Sequence, residues 1–332
     1  MKTTPPPLLL DKATVASLLT LDECIAAVSD AFAAAARGDA LATELLHVDG
    51  VGGEFHVKAG GLKSPDAFFA CKINGGFFQN RARFDLPNIQ GLILLCDATN
   101  GVPLAVMESS TVTILRTGAA TAVAAQHLAR HDSTVATICG VGTQGAVQLR
   151  SLCKVLPLAK AIAWSRSAAR AIEFATRMSE ELGLPVEAVS DLRDATRQSD
   201  VIVTCTPSKH WFLGREHVRP GTFIAAVGAD SPDKQEIEPE LLAESLVVCD
   251  VTAQSAEVGD LHHAIVNGLM SVGDVRGELG AVIIGKSPGR THDDETIIFD
   301  STGTALQDAA AAAHVYRRAV NAGVGTRFGF WG

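Results

Sequence analysis

Between residues 134 and 300 apolar runs of strand length alternate with stretches of helical spacing. "TVATICGVG" leads into "TQGAVQLRSLCKVL", and "AKAIAWS" leads into "SAARAIEFATRMSEELG". Three further runs rich in β-branched residues follow, "SDVIVTCTPS", "GTFIAAVGAD" and "SLVVCDVT", and "TIIFDST" closes the series. This order predicts roughly six strands in a parallel sheet with helices on its faces, an α/β doubly wound arrangement.

The first third has another rhythm. Leu21, Cys24, Ile25, Val28 and Phe32 recur at helical spacing and predict a helix over 21–37, with Asp22 and Glu23 favouring its start through the helix dipole. Strand-like runs follow around 54–59, 67–74 and 89–96, and "DATNG" at 97–101 signals a turn ahead of "VPLAVM". These form a separate α+β unit. The last regular segment, "TALQDAAAAAHVYRRAVNAG", predicts a helix stopped by Gly323. A helix so rich in alanine packs on something, and we expect it to return to the first unit. No internal repeat or low-complexity linker is visible.

With 332 residues and 47% hydrophobic content the chain can bury a large core, and its length suggests about two domains. A formal net charge of −9 without any Lys/Arg run argues against a nucleic-acid surface and favours a small-molecule partner. The seven cysteines (24, 71, 96, 139, 153, 205, 249) are odd in number, scattered and without a C-x-x-C pair, which reads as reduced core residues of a cytoplasmic protein. "MKTTPPPLLLDKATV" lacks the pattern of a signal peptide, and no apolar run approaches about 18 residues, so no membrane partner is expected.

Two features carry chemistry. The first is "GVGTQG", which sets Gly140, Gly142 and Gly145 in G-x-G-x-x-G spacing between an apolar strand and a helix. In that context the first glycine makes the tight turn, the second lets backbone approach a pyrophosphate and the third allows close helix packing. About twenty residues further on, where an NAD site places an acid for the ribose 2′-hydroxyl, stand Ser165 and Arg166. A hydroxyl and a guanidinium suit a 2′-phosphate, so NADPH is expected to be preferred over NADH. The plain alternative is a solvated charge at a helix start.

The second feature is Lys72 within "AFFACKINGGFFQN". Removing an ammonium from water costs several kcal/mol unless a partner compensates. Lys72 is therefore either ion-paired or chemically active.

The segments "CKINGG", "TILRTGAATAVAAQHLA", "GVGTQG", "TCTPS", "VGADSPDKQEI" and "FDSTGTALQD", in this order, resemble the ornithine cyclodeaminase and mu-crystallin family over about residues 15–325. The resemblance implies a homodimer. It also implies a discontinuous α+β domain for substrate binding and dimerisation, residues 1–120 with 305–332, around a Rossmann-type domain of residues 121–304. Family members act on α-imino or α-amino acids: cyclodeaminases, alanine dehydrogenase, cyclic ketimine and other imino acid reductases, with a NADPH-dependent thyroid-hormone binder beside them.

By the same resemblance Lys72 stands beside the substrate's reacting carbon, Arg116 in "LRTGAA" binds the α-carboxylate, and Asp230 in "GADSPDKQE" is an acid near the nicotinamide. A planar fork of donors suits a carboxylate bidentately. Thr206, Pro207 and Ser208 resemble the nucleotide-contacting loop, and Ser301, Thr302 and Gly303 a segment near nicotinamide and substrate; Thr143, Gln144 and Val227 complete the expected cofactor contacts. Each has a structural alternative: an ion pair for Lys72 or Arg116, and a turn before "SP" for Asp230.

Two departures shape the expectation. Cyclodeaminases carry a further arginine ahead of the lysine, where this chain reads "ATELLHVDG"; Lys58 or His56 in "GGEFHVKAGG" can take that role, because residues 54, 56 and 58 share one strand face. A solvated polar face is the alternative. "NGGFF" stands where cyclodeaminases tend toward "NGHP", which weighs against ornithine cyclisation, and Phe77 and Phe78 are expected to pack in the core, with lining a pocket as the alternative. No metal or serine-hydrolase motif is present, and His262 and His263 read as helix or pocket residues. The leading expectation is an NAD(P)H-dependent imine reductase or amino acid dehydrogenase; the rivals are ornithine cyclodeaminase and a NADPH-dependent binding protein without turnover.

Overall fold

The computed structural model describes residues 5–63 and 66–330. It divides into two compact units, Met1–Arg116 with Thr304–Gly332 and Thr117–Gly303. The boundary at 116/117 falls inside the helix Ser109–Leu128.

The first unit is built on a seven-stranded sheet. Its spatial order is Thr326–Arg327, Leu8–Leu10, Pro103–Glu108, Ile89–Asp97, Phe68–Gly76, Gly53–Leu62 and Ala40–Gly50. From Ala40 to Glu108 the strands form an antiparallel meander. The turn expected at 97–101 is closed by the Asp97 carboxylate, which accepts from Thr99 N at 2.8 Å and Asn100 Nδ2 at 2.9 Å. Period-two alternation sorts the side chains onto two faces. Ala70, Ile93, Leu95 and Met107 are buried on one face, against which Leu21–Arg37 and the Ala-rich helix Ala305–Ala322 pack. The other face leaves Leu46, Val48, Phe55, Ile73, Leu92 and Leu94 exposed.

Leu21–Arg37 starts at Thr20, whose hydroxyl and Glu23 form a reciprocal capping box, and stops at Gly38 in the left-handed region. Gly60 allows the Ala-rich helix to approach, since a Cβ there would come within 3.0 Å of Ala305 Cβ. The edge strand Ala40–Gly50 was outside the expected set because its apolar residues Leu46 and Val48 point to the uncovered face. Phe77 packs edge-on against Phe55, with ring centroids 5.3 Å apart, whereas Phe78 is 53% exposed. Core packing therefore fails for both: Phe77 is half-buried against Phe55 on the uncovered face, and Phe78 lies past the strand end at Gly76 and so escapes the sheet's alternation.

The second unit is an eight-stranded parallel sheet of Rossmann type. Its order is Gly277–Glu278, Leu246–Cys249, Ile297–Asp300, Phe223–Ala226, Val201–Thr204, Val135–Cys139, Lys160–Trp164 and Val186–Ala188. The six central strands match the six apolar runs of the sequence. The two at the edges hold three and two residues, too few for a period to show. Ile138, Ile162, Ile202, Ile224 and Ile298 are fully buried between the helical layers. The strand order reverses between Val135–Cys139 and Val201–Thr204, the crevice where open α/β sheets bind ligands. All seven cysteines are free, and no helix among the described residues is long and apolar enough to cross a membrane.

Candidate active site

Lys72 points to the covered face of the first unit's sheet and is 2% exposed. Its Nζ lies 2.6 Å from Oδ2 of Asp308, a fully buried residue in the first turn of the Ala-rich helix. Asp308 Oδ1 accepts from Arg116 Nε at 3.1 Å, and Arg116 Nη1 donates to Gln307 Oε1 at 2.9 Å. One carboxylate thus holds two cations, one on each oxygen, and a neighbouring amide fixes the plane of the guanidinium.

Burial pushes the Lys72 ammonium down from 10.5 to about 7; Asp308 opposes this, and the charges of Arg116 and Lys58 add to it. Burial acts to raise Asp308, but the charges of Lys72 and Arg116 outweigh it and hold the carboxylate below its ordinary value. The result is an anionic acid beside an amine poised near neutrality, a range suited to proton transfer.

Lys58 sits directly across the strand pair from Lys72 and is 4% exposed. The Lys58 end of that strand face is therefore buried, and His56 and Glu54 further along it are half-buried. Two residues along on the same face, His56 Nε2 approaches Glu54 Oε1 at 3.3 Å, and His47 from the edge strand approaches Glu54 Oε2 at 3.9 Å. The donor atoms of His47, Glu54 and His56 lie within 4.8 Å of one another. Linear spacing hid this triplet, because His47 reaches it only through the pairing of Ala40–Gly50 with Gly53–Leu62.

In the second unit Gly140 has φ 116°, and a Cβ there would meet Cys205 O at 2.8 Å. A Cβ on Gly145 would come within 2.0 Å of Gly140 O, whereas the space over Gly142 is open. Gly142 caps the helix Thr143–Val155 without a side-chain bond, so the first N–H groups face that opening, and the buried Gln144 Oε1 has no partner among the described residues. This cradle fits a dinucleotide pyrophosphate. Ser165 Oγ accepts from Ser167 N at 3.3 Å, and Arg166 is exposed in the loop after Lys160–Trp164.

The other expected cofactor residues are braced by buried acids. Glu236 accepts from Thr206 N and Oγ1, both at 2.6 Å, and from Gly228 N at 3.0 Å, which ties the 206–208 loop to the turn after Val227. Ser208 N in turn donates to Thr206 Oγ1 at 3.2 Å, across Pro207. Asp250 accepts from Ser301 Oγ at 3.4 Å, Thr302 Oγ1 at 3.0 Å and Gly303 N at 2.7 Å. Asp230 Oδ1 receives Lys234 Nζ at 2.6 Å. His262 and His263 spend a ring nitrogen each on the carbonyls of Ala256 and Lys234.

The first unit therefore brings Lys72, Arg116 and Lys58 together, with His56 next along the face, and the second gathers the glycine cradle. Asp230 belongs to the second unit. Asp308 and Gln307 were not singled out. The signal for them was an acid and an amide side by side in a helix start that is otherwise buried and apolar.

The family model for the ornithine cyclodeaminase/mu-crystallin family matches residues 7–323. An archaeal alanine dehydrogenase dimer with bound NAD superposes with a TM-score of 0.93 at 35% identity, covering 98% of this chain and 99% of that one. The Thermococcus litoralis Δ1-pyrroline-2-carboxylate reductase in complex with NADH and L-proline gives 0.91 at 31% identity over 97% and 100% of the two chains. The iminosuccinate reductase of Paracoccus denitrificans in complex with NAD+ gives 0.89 at 35% over 97% and 98%. The chain belongs to the ornithine cyclodeaminase/mu-crystallin family.

Proposed function

We propose that the protein is an NAD(P)H-dependent imine reductase, equivalently an amino acid dehydrogenase, acting on a small α-imino carboxylate. The observation that carries this reading is the buried set of Lys72, Asp308 and Arg116, with the ammonium tuned to about 7. Alanine dehydrogenase, iminosuccinate reductase and pyrroline-2-carboxylate reductase, the similar enzymes above, share an α-carboxylate beside a C–N centre.

Arg116 keeps N–H donors beyond those given to Asp308 and Gln307, and these take the substrate's α-carboxylate. Bound reduced nicotinamide supplies the hydride to the imine carbon. Lys72 gives the proton to the imine nitrogen and is left as a neutral amine, which Asp308 then helps to reprotonate from water. Asp230 polarises or orients the nitrogen, and Lys58 and His56 complete the substrate contacts. Gly140, Gly142, Thr143, Gln144 and Gly145 cradle the pyrophosphate; the segments at 206–208 and 301–303, with Val227, line the rest of the cofactor. The chain is a cytoplasmic homodimer, with residues 1–120 and 305–332 as substrate and dimerisation domain and 121–304 as dinucleotide domain. The uncovered apolar face of Leu46, Val48, Phe55, Ile73, Leu92 and Leu94 supports a second copy as its cover.

A spectrophotometric screen at 340 nm with NADPH and NADH, against cyclic imines and against oxo acids plus ammonia or methylamine, tests the function. Oxidation of the cofactor is expected with at least one α-imino carboxylate; ammonia release from ornithine without net absorbance change would point to cyclodeamination instead. Arg166→Asp is expected to lower the NADPH to NADH preference by about tenfold, the size of one charge-assisted contact. An unmoved ratio removes the NADPH claim.

A further inference from the structure

Two threonines in the first unit stand at helix N-caps and use their hydroxyls differently. Thr20 accepts from Glu23 N and completes a capping box, the ordinary arrangement. Thr304, at the head of the 18-residue helix Ala305–Ala322, makes no side-chain cap bond although it is fully buried. Its Oγ1 has no partner among the described residues. A buried hydroxyl that forgoes the N–H groups it usually serves is costly unless another group takes it.

Three residues on, Gln307 shows the same deficit. It is fully buried, and Oε1 accepts from Arg116 Nη1 at 2.9 Å, whereas Nε2 has no partner among the described residues. The amide is not simply turned around, because Arg116 has only donors and requires Oε1 toward it. Nε2 is bonded to the same carbon as Oε1, so this donor lies beside the guanidinium. With Asp308 Oδ1 on Nε at 3.1 Å, Arg116 spends two of its five N–H groups on these neighbours. Donors from three side chains thus stand at the N-terminus of one helix, where the dipole favours an anion.

We propose that Gln307 and Thr304 are substrate-binding residues, whose Nε2 and Oγ1 donate to the α-carboxylate that Arg116 holds. An ionised carboxylate offers about four acceptor sites, and a bidentate guanidinium fills two of them. The amide and the hydroxyl take the others. Gln307 thereby sets selectivity at this end of the substrate, because a carboxamide in place of the carboxylate must turn its own NH2 toward one of these donors. The inference rests on the imine-reductase reading for the class of ligand.

The probes are L-lactate and L-lactamide, followed by thermal stabilisation of the full-length protein with NADPH or NADH. Lactate is expected to stabilise the wild type at lower concentration than lactamide. Gln307→Glu keeps an oxygen for Arg116 and replaces the donor by an acceptor, so half-saturation by lactate should rise about tenfold and that by lactamide should fall. Loss of lactate binding without a gain for lactamide reports the added charge alone and overturns the contact. Thr304→Val adds no charge and is expected to raise KM for an α-imino carboxylate about fivefold, with the loss falling on KM more than on kcat. An unmoved KM in a folded variant overturns the role of Thr304. A crystal structure of the unmodified protein with lactate is independent of any variant's folding: Gln307 Nε2 and Thr304 Oγ1 are expected within hydrogen-bond distance of the carboxylate, and a carboxylate held by Arg116 alone overturns the proposal. Lactate held by all three residues without reduction of any imine would remove the reductase reading and leave this one standing.

Discussion

In the first unit buried cations gather on Asp308, whereas in the second the buried acids Glu236, Asp250, Asp260 and Asp300 gather on backbone N–H groups and hydroxyls, with Asp200, which also holds Arg130 and Arg219, as the exception. Asp260 accepts from the N–H groups of Glu236 and Ile237 at 2.8 and 2.9 Å, and Asp300 from Leu261 N at 2.9 Å. Burial pushes Glu236 up to about 8, with the charge of Asp260 adding to it, and burial raises Asp260 to about 6. Both regions hold strongly shifted groups. In one the shift leaves an ammonium ready to give up its proton beside a fixed anion and spare donors; in the other it leaves Glu236 largely protonated at neutral pH, and the shifted acids pin loops to strand ends. A shifted group with ligand-binding neighbours reads as chemistry, and one satisfied by the backbone reads as architecture.

The largest effect that would sharpen this contrast is Lys72→Met. It removes the proton donor and should lower imine reduction by about 10³-fold, within the range for a general acid, while dinucleotide affinity measured by fluorescence titration stays within about twofold. Retained turnover would place Lys72 with the architectural groups.

Asp308→Asn comes next. It leaves Lys72 and Arg116 buried without their shared anion, so denaturant unfolding should show a loss of about 3–5 kcal/mol. With that attraction gone, the Lys72 transition should also move to lower pH in any active remainder. A variant as stable as the wild type would show that the cations are compensated elsewhere.

The wild-type pH profile follows. Lys72 titrates at about 7, and imine reduction needs its protonated form, so kcat/KM should be level below that pH and fall at most tenfold per unit above it. Amino acid oxidation needs the neutral amine and should show the opposite slope. Parallel profiles in the two directions would separate Lys72 from the proton transfer.

Much of the molecule was legible because its signals are local. The glycine spacing, the six longer Rossmann strands and the helix begun by Thr20 each declare themselves within a few residues. Lys72 declared itself by conflict, a cation in an apolar strand. The partner that resolves the conflict did not, since Asp308 lies at the far end of the chain from Lys72 and an aspartate ahead of "AAAAAH" reads as a surface residue. Ala40–Gly50 was hidden because its apolar side chains face outward. The acids at 250, 260 and 300 follow or end strands or open a helix, where aspartate ordinarily makes a turn or cap, and only the fold places them under cover.

Glu236→Gln should have the smallest effect, and its size is informative. At pH 7 the wild-type side chain is largely neutral, so the amide changes little except that one of its ends must now meet an N–H donor, at Thr206 or at Gly228; a loss of about 1 kcal/mol is expected. The pH dependence is the sharper readout. A carboxyl raised from 4.5 to about 8 on folding contributes stability that is fully present below 4.5 and lost as pH rises through 8. Wild-type stability should therefore decline between about pH 5 and 7, where Lys72 does not yet contribute a slope and the lowered His127 opposes the decline, and the variant should decline less, keeping the shares due to Asp260, Asp300 and His127. Parallel declines would mean that Glu236 is already ionised in the fold. The contrast between the two units would then come down to the cations alone.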